Sequence, residues 1–85
     1  MNRKKLLQRL AGGALHNVAF RDMVNLVGAF GFRLSRVAGS HHIFVHPSIS
    51  EIVNLQDSSG EAKPYQIRQF LRLVELHNLK MEDGK

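Results

Sequence analysis

The chain reads as an α+β domain, a three-stranded antiparallel sheet with helices packed on one face, and three observations predict it. Apolar residues recur at helical spacing in two segments before residue 31 and again after residue 63. Between Phe32 and Gln56 the period drops to two, the signature of half-buried strands. Short polar turns, Gly39-Ser40 and Asp57-Ser58-Ser59-Gly60, punctuate the strand region. The predicted order is α-α-β-β-β-α.

Leu6, Leu7 and Leu10 lie on one helical stripe within Asn2 to Leu10, surrounded by Arg3, Lys4, Lys5 and Arg9. Gly12-Gly13 ends that helix, and Ala14 to Ala19 reads as a loop or short extended piece. A second helix starts near Phe20 or Arg21. It places Met23, Leu26, Val27 and Phe30 on one face, with Asp22 complementing the dipole and Gly31 at the C-terminal cap. Phe32 and Leu34 then alternate with Arg33 and Ser35, and a break at Arg36-Val37 predicts a bulge or strand end. After the Gly39-Ser40 turn, His41, Ile43 and Val45 point one way, while His42, Phe44 and His46 point the other. Pro47 stops the strand, Ser48 to Glu51 forms a loop, and Ile52 to Gln56 is the third strand. Asp57 to Gly60 reads as a turn or flexible loop. Pro64 suits the first position of a last helix carrying Ile67, Phe70, Leu71 and Val74 inward.

At 85 residues the chain holds one domain, residues 1–85, with residues 1–17 as an N-terminal helical extension and residues 79–85 as a frayed tail. Cysteine is absent, which excludes disulfides and thiolate metal sites and fits a reducing compartment. No apolar run is long enough to span a bilayer, and the basic N-terminus lacks a continuous apolar signal core, so a cytoplasmic protein without membrane partners is expected. The net charge of +5 favours polyanionic partners: RNA, DNA or an acidic protein.

Three stretches carry a more specific signal: Leu26 to Phe44 (LVGAFGFRLSRVAGSHHIF), Ile52 to Gln56 (IVNLQ) and Ala62 to Leu71 (AKPYQIRQFL). In this order they resemble the HicA toxin family, with its Gly-Phe entry into the first strand and its Gly-Ser-His signature. The resemblance implies a double-stranded-RNA-binding-domain-like fold. It further implies the toxin of a type II toxin–antitoxin pair, an endoribonuclease that cleaves mRNA without a metal. A HicB-type antitoxin would cover the active site, and operator DNA would be met only indirectly, through the antitoxin. The signature histidine is the family's catalytic residue, which corresponds to His41. The chain differs from compact members in its longer N-terminal segment and its second adjacent histidine, His42.

The residues themselves suit that chemistry. Cleavage by the ribose 2′-OH needs a base, an acid and cations around the phosphate. Histidine, with an ordinary pKa near 6.5, serves as either acid or base near neutral pH. Catalytic candidates are therefore His41 and His42. If helices cover the Ile43 and Val45 face, His41 lies at its margin and His42 faces solvent. Patterning then favours His42, and the signature favours His41. Gly39 and Ser40 are candidates for contact with phosphate, and they serve equally as a turn. Lys63, Arg68 and Arg36 are the preferred cationic contacts, each with the plainer alternative of a solvated charge. Tyr65 stacks on a base or packs at its helix start. His42 and His46 share a face but sit roughly 13 Å apart along a strand, too far to ligate one zinc ion, so no metal or other cofactor is expected. The rival readings are a non-catalytic RNA-binding module and a basic protein-interaction domain.

Overall fold

Asn2 starts helix α1 (Arg3–Ala11): its Oδ1 accepts the Lys4 and Lys5 N–H groups at 2.8 and 3.2 Å. Gly13, at φ +96°, turns the chain out of the helix after Gly12. Leu6 and Leu10 are buried, so the N-terminal helix completes the core. The structure, a computed structural model, describes residues 2–81. Arg9 fastens the following loop by donating to the carbonyls of His16 and Asn17.

Helix α2 (Phe20–Ala29) has no side-chain cap at Ala19. The sheet anchors its start instead. The Phe20 N–H donates to the Gly60 carbonyl at 2.8 Å, and the Ala62 N–H donates to the Val18 carbonyl at 2.9 Å. Met23, Leu26 and Val27 are buried on one face as their spacing requires, and Gly31 takes φ +95° beyond the Phe30 cap.

The sheet has four antiparallel strands in the order β1 (Arg33–Ala38), β2 (His41–His46), β3 (Ile49–Ser58) and β4 (Glu61–Ala62). The element order is therefore α-α-β-β-β-β-α, one strand more than the sequence predicts. Residues 57–60 are not all turn. Strand β3 runs on to Ser58, and only Ser59 and Gly60 connect, both at positive φ as in a type I′ hairpin. The Asp57 carboxylate accepts the Gly60 N–H at 2.8 Å, and β4 returns alongside Asp57 and Ser58. β4 is too short to reach the Gln56 N–H. The buried side chain of Gln66 takes it at 2.7 Å instead, so this position on the β3 edge is satisfied.

The inward face of β2 also departs from expectation. The helices cover the His42, Phe44 and His46 face, not that of Ile43 and Val45. Phe44 is 3% exposed, whereas Val45 is 38% exposed. Cross-strand register decides this. Phe44 lies opposite Val53 and His42 opposite Leu55, the two inward residues of β3. β1 is an edge strand with every residue exposed, Leu34 included, because the helices lie over its neighbours. The irregularity falls between Leu34 and Arg36, ahead of the predicted break at Arg36-Val37, which pairs regularly.

His46 links β2 to α2. Its Nε2 lies 3.1 Å from the Phe30 carbonyl, which can only accept, so Nε2 carries the proton. Its Nδ1 accepts the Ser48 N–H at 3.0 Å, and its ring packs edge-on against Phe32. Helix α3 (Pro64–Leu76) buries Ile67 and Phe70, the latter against Phe30 and Phe32. Leu79 and Met81 pack on the same core, and the remainder of the predicted tail, residues 82–85, lies outside the described residues. At the end of α3, His77 Nε2 sits 3.1 Å from a Glu51 carboxylate oxygen. That close contact with the imidazole, together with a backbone hydrogen bond, holds Glu51 below the ordinary value of 4.5.

Two outcomes follow. His46→Ala removes two hydrogen bonds and a ring contact, so it should cost about 2 kcal/mol and lower the melting temperature by roughly 10 °C in thermal unfolding. Glu51 has its pKa depressed by folding, so its contribution is present above the unfolded value and lost as pH falls through the folded one. Thermal unfolding of Glu51→Gln should lose this acid-limb slope, leaving a flatter stability curve than the parent below about pH 4.5.

Candidate functional site

The β1–β2 hairpin turns on two residues, since Ala38 pairs directly with His41. Gly39 supplies the positive φ, +61°, that the first position of such a turn demands, and Ser40 follows. A side chain at residue 39 would meet no neighbour but would strain the backbone, so glycine is required there for conformation. The tightness of the turn leads straight into two adjacent histidines that strand geometry sends to opposite faces.

His42 goes to the helix side. Its ring meets Phe20 edge-on at 4.8 Å, and its Nδ1 lies 3.3 Å from the Ser40 carbonyl. The same carbonyl accepts the Asp57 N–H at 2.9 Å. Asp57 holds Gly60, Gly60 holds the Phe20 N–H, and Phe20 returns to His42, so the contacts close into a ring. His42 is a member of that ring and half-buried by it. Beside it opens a cleft of about 480 Å³ lined by Ala19, Phe20, Arg21, Asp22, Asp57 and Gly60.

His41 goes to the open face of the sheet. Its Nδ1 lies 3.2 Å from Asn54 Oδ1, an assignment in which the imidazole donates and Nε2 is left as the basic nitrogen. Arg36 lies opposite Ile43, and Arg33 opposite Val45, so both arginines share the face of His41. The neighbourhood of His41 thus contains a histidine oriented by an amide and cations on the same side of the sheet.

The remaining candidates are dispersed. Gly39 and Ser40 stand at the turn beside both histidines, and Lys63 is the cap residue before α3. Arg68 is exposed on the outer side of α3 with Tyr65 and Arg72, away from the hairpin. Phe20, Asp57 and Asn54 were not among the candidates read from sequence. The Asp57-x-x-Gly60 spacing is a legible sign of the turn that organises two of them, whereas the contact between Asn54 and His41 depends on strand register and has no local signal. Among the described residues, no group of three or more His, Cys, Asp or Glu side chains converges as metal ligands. No helix there is long and apolar enough to cross a membrane.

The model of a family described as the HicA toxin of bacterial toxin–antitoxin systems matches residues 20–76. No curated protein and no solved structure shows a significant match to the chain. The family match runs from the first residue of α2 to the last of α3 and takes in the hairpin with both histidines. Spanning well over half of the sequence, it shows that the chain belongs to the HicA family of toxins of bacterial toxin–antitoxin systems.

Proposed function

We propose that the protein is a metal-independent endoribonuclease toxin that cleaves mRNA with His41 as its acid/base residue and is neutralised by a HicB-type antitoxin in the cytoplasm. The single observation that carries this reading is the setting of His41. It stands on the uncovered face of the sheet, its Nδ1 is engaged by Asn54, and Arg36 shares its face. Family signature and geometry favour the same histidine. The patterning argument for His42 loses its basis, because His42 lies against Phe20 on the helix side. The antiparallel run β1-β2-β3 between α2 and α3 supports a double-stranded-RNA-binding-domain-like fold.

In the reaction, His41 Nε2 takes the proton from a ribose 2′-OH. The 2′-oxygen bonds to phosphorus, the P–O5′ bond breaks, and the imidazolium returns its proton to O5′. The products are a 2′,3′-cyclic phosphate and a 5′-hydroxyl. Asn54 keeps the ring in one tautomer, as the orienting group of a triad does. Arg36 offers charge to the phosphate oxygens as they become more negative. Gly39 lets a strand of RNA approach the turn closely, and the Ser40 hydroxyl donates to phosphate. Lys63 and Arg68 extend the electrostatic contact with the backbone.

The test is cleavage of an mRNA in EDTA. His41→Ala should lower the rate by about 10²- to 10⁴-fold, the usual worth of acid–base catalysis. His42→Ala should keep cleaving while losing about 1–2 kcal/mol of stability with its ring contact and hydrogen bond. The reverse pattern would assign the chemistry to His42. Intact RNA with a salt-sensitive gel shift would leave an RNA-binding module, and neither effect would leave a protein-interaction domain. A substrate with 2′-deoxyribose throughout should bind without being cut, since it lacks the nucleophile.

A further inference from the structure

The outer side of α3 carries an open groove of about 550 Å³ lined by Tyr65, Arg68, Gln69, Leu71, Arg72 and Glu75. Tyr65, the only tyrosine of the chain, is 52% exposed. The ring is not loose. Its hydroxyl lies 3.4 Å from Gln66 Nε2, and Gln66 is itself buried, with Oε1 accepting the Gln56 N–H at 2.7 Å. Gln56 stands directly across from His41 in the sheet register. One buried amide therefore ties the tyrosine to the strand position facing His41, and leaves its ring on the surface.

Arg68 follows Tyr65 by three residues and Arg72 follows Arg68 by four, so all three share one side of α3. The two arginines sit about 6 Å apart along the helix axis, close to the spacing of successive phosphates on a single strand. Neither has an ion-pair or hydrogen-bond partner among the described residues. Glu75 closes the far end, where its charge repels phosphate and terminates a track for polyanion. An aromatic ring with two guanidinium groups beside it, neither paired among the described residues, is the composition of a stacking platform on a cationic groove.

We infer that the α3 groove is a subsite for single-stranded RNA, in which an unpaired base stacks on Tyr65 and the adjoining phosphates pair with Arg68 and Arg72. This deepens the endoribonuclease reading and rests on it. The ring face selects for single strands, because a base inside a duplex cannot be splayed onto it. Gln66 is a positioning residue here: it preorganises the ring before RNA arrives.

The experiment measures binding of a fluorescent, unstructured RNA oligonucleotide to the His41→Ala protein by anisotropy across a salt series. Cleavage of the same oligonucleotide by the parent protein in EDTA is followed in parallel. Tyr65→Ala should weaken binding roughly 5- to 150-fold with its salt slope unchanged, and Tyr65→Phe, which keeps the ring but loses its tie to Gln66, should bind with an affinity between the two. Arg68→Gln and Arg72→Gln should each flatten the logarithmic salt slope by about 0.7. A duplex of the same sequence should be indifferent to Tyr65→Ala. All three side chains are on the surface, so thermal melting should match the parent. If the parent cleaves the oligonucleotide but the three α3 variants bind it as tightly as the parent, the subsite is overturned and the endoribonuclease reading stands. An equal loss of duplex binding in Tyr65→Ala overturns the stacking role. If the parent neither binds nor cleaves, both readings fall together.

Discussion

Burial of Phe44 in the middle of β2, beneath the helices and across from Val53, is the contact from which the rest of the arrangement follows. A strand presents alternate residues to alternate faces, so one buried ring assigns the side of every neighbour. His42 and His46 must go inward with it, and His41, Ile43 and Val45 outward. The two inward imidazoles are accommodated because each meets an aromatic ring and finds a carbonyl for a ring nitrogen. Neighbouring histidines of identical chemistry are thereby given unlike surroundings. One is enclosed in a ring of contacts on the helix side, and the other, half-buried beside Asn54, stands on the open side of the sheet.

That ring of contacts joins parts of the chain that are remote in sequence. Ser40 and His42 come from one hairpin, Asp57 and Gly60 from another, and Phe20 from the start of α2. The Gly60 carbonyl replaces the side-chain cap that α2 lacks, so the helix is positioned by the sheet and not by its own terminus. Asn54 acts likewise on the other face, where its place opposite Ile43 brings its amide to His41. Each histidine is oriented by a residue from β3 or from its own turn. The site is therefore as rigid as the sheet that carries it.

Much of this architecture was legible in the sequence. The stripes of Leu6 and Leu10, of Met23, Leu26 and Val27, and of Ile67 and Phe70 located the helices. Glycines 13, 31 and 39 marked turns where positive φ is adopted. Strand β4 was not legible, because two residues are too few to show a period of two, and Ser59 gives no sign that it will take a left-handed conformation. The inward side of β2 is not legible along the strand itself, for a different reason. Counted along one strand, Ile43 and Val45 outweigh Phe44, but the decision belongs to the partner strand, whose Val53 and Leu55 come into register opposite Phe44 and His42. Leu34 failed as a core residue because periodicity does not reveal that a strand lies at the edge. For the site, the hairpin and its histidines were visible from their residue types. Asn54 and Asp57 were not, because their roles exist only after strands have paired.

The two-residue Gly39-Ser40 connection leaves the hairpin no slack. One residue added or removed there would reverse the pleat of β2, carrying Phe44 into water, His41 beneath the helices and His42 outward. Loss of the core and exchange of the histidines would be the same event. Misalignment of this hairpin therefore cannot yield a stable protein with its outward histidine misplaced: the molecule proofreads its own site by the solubility of a single phenyl ring.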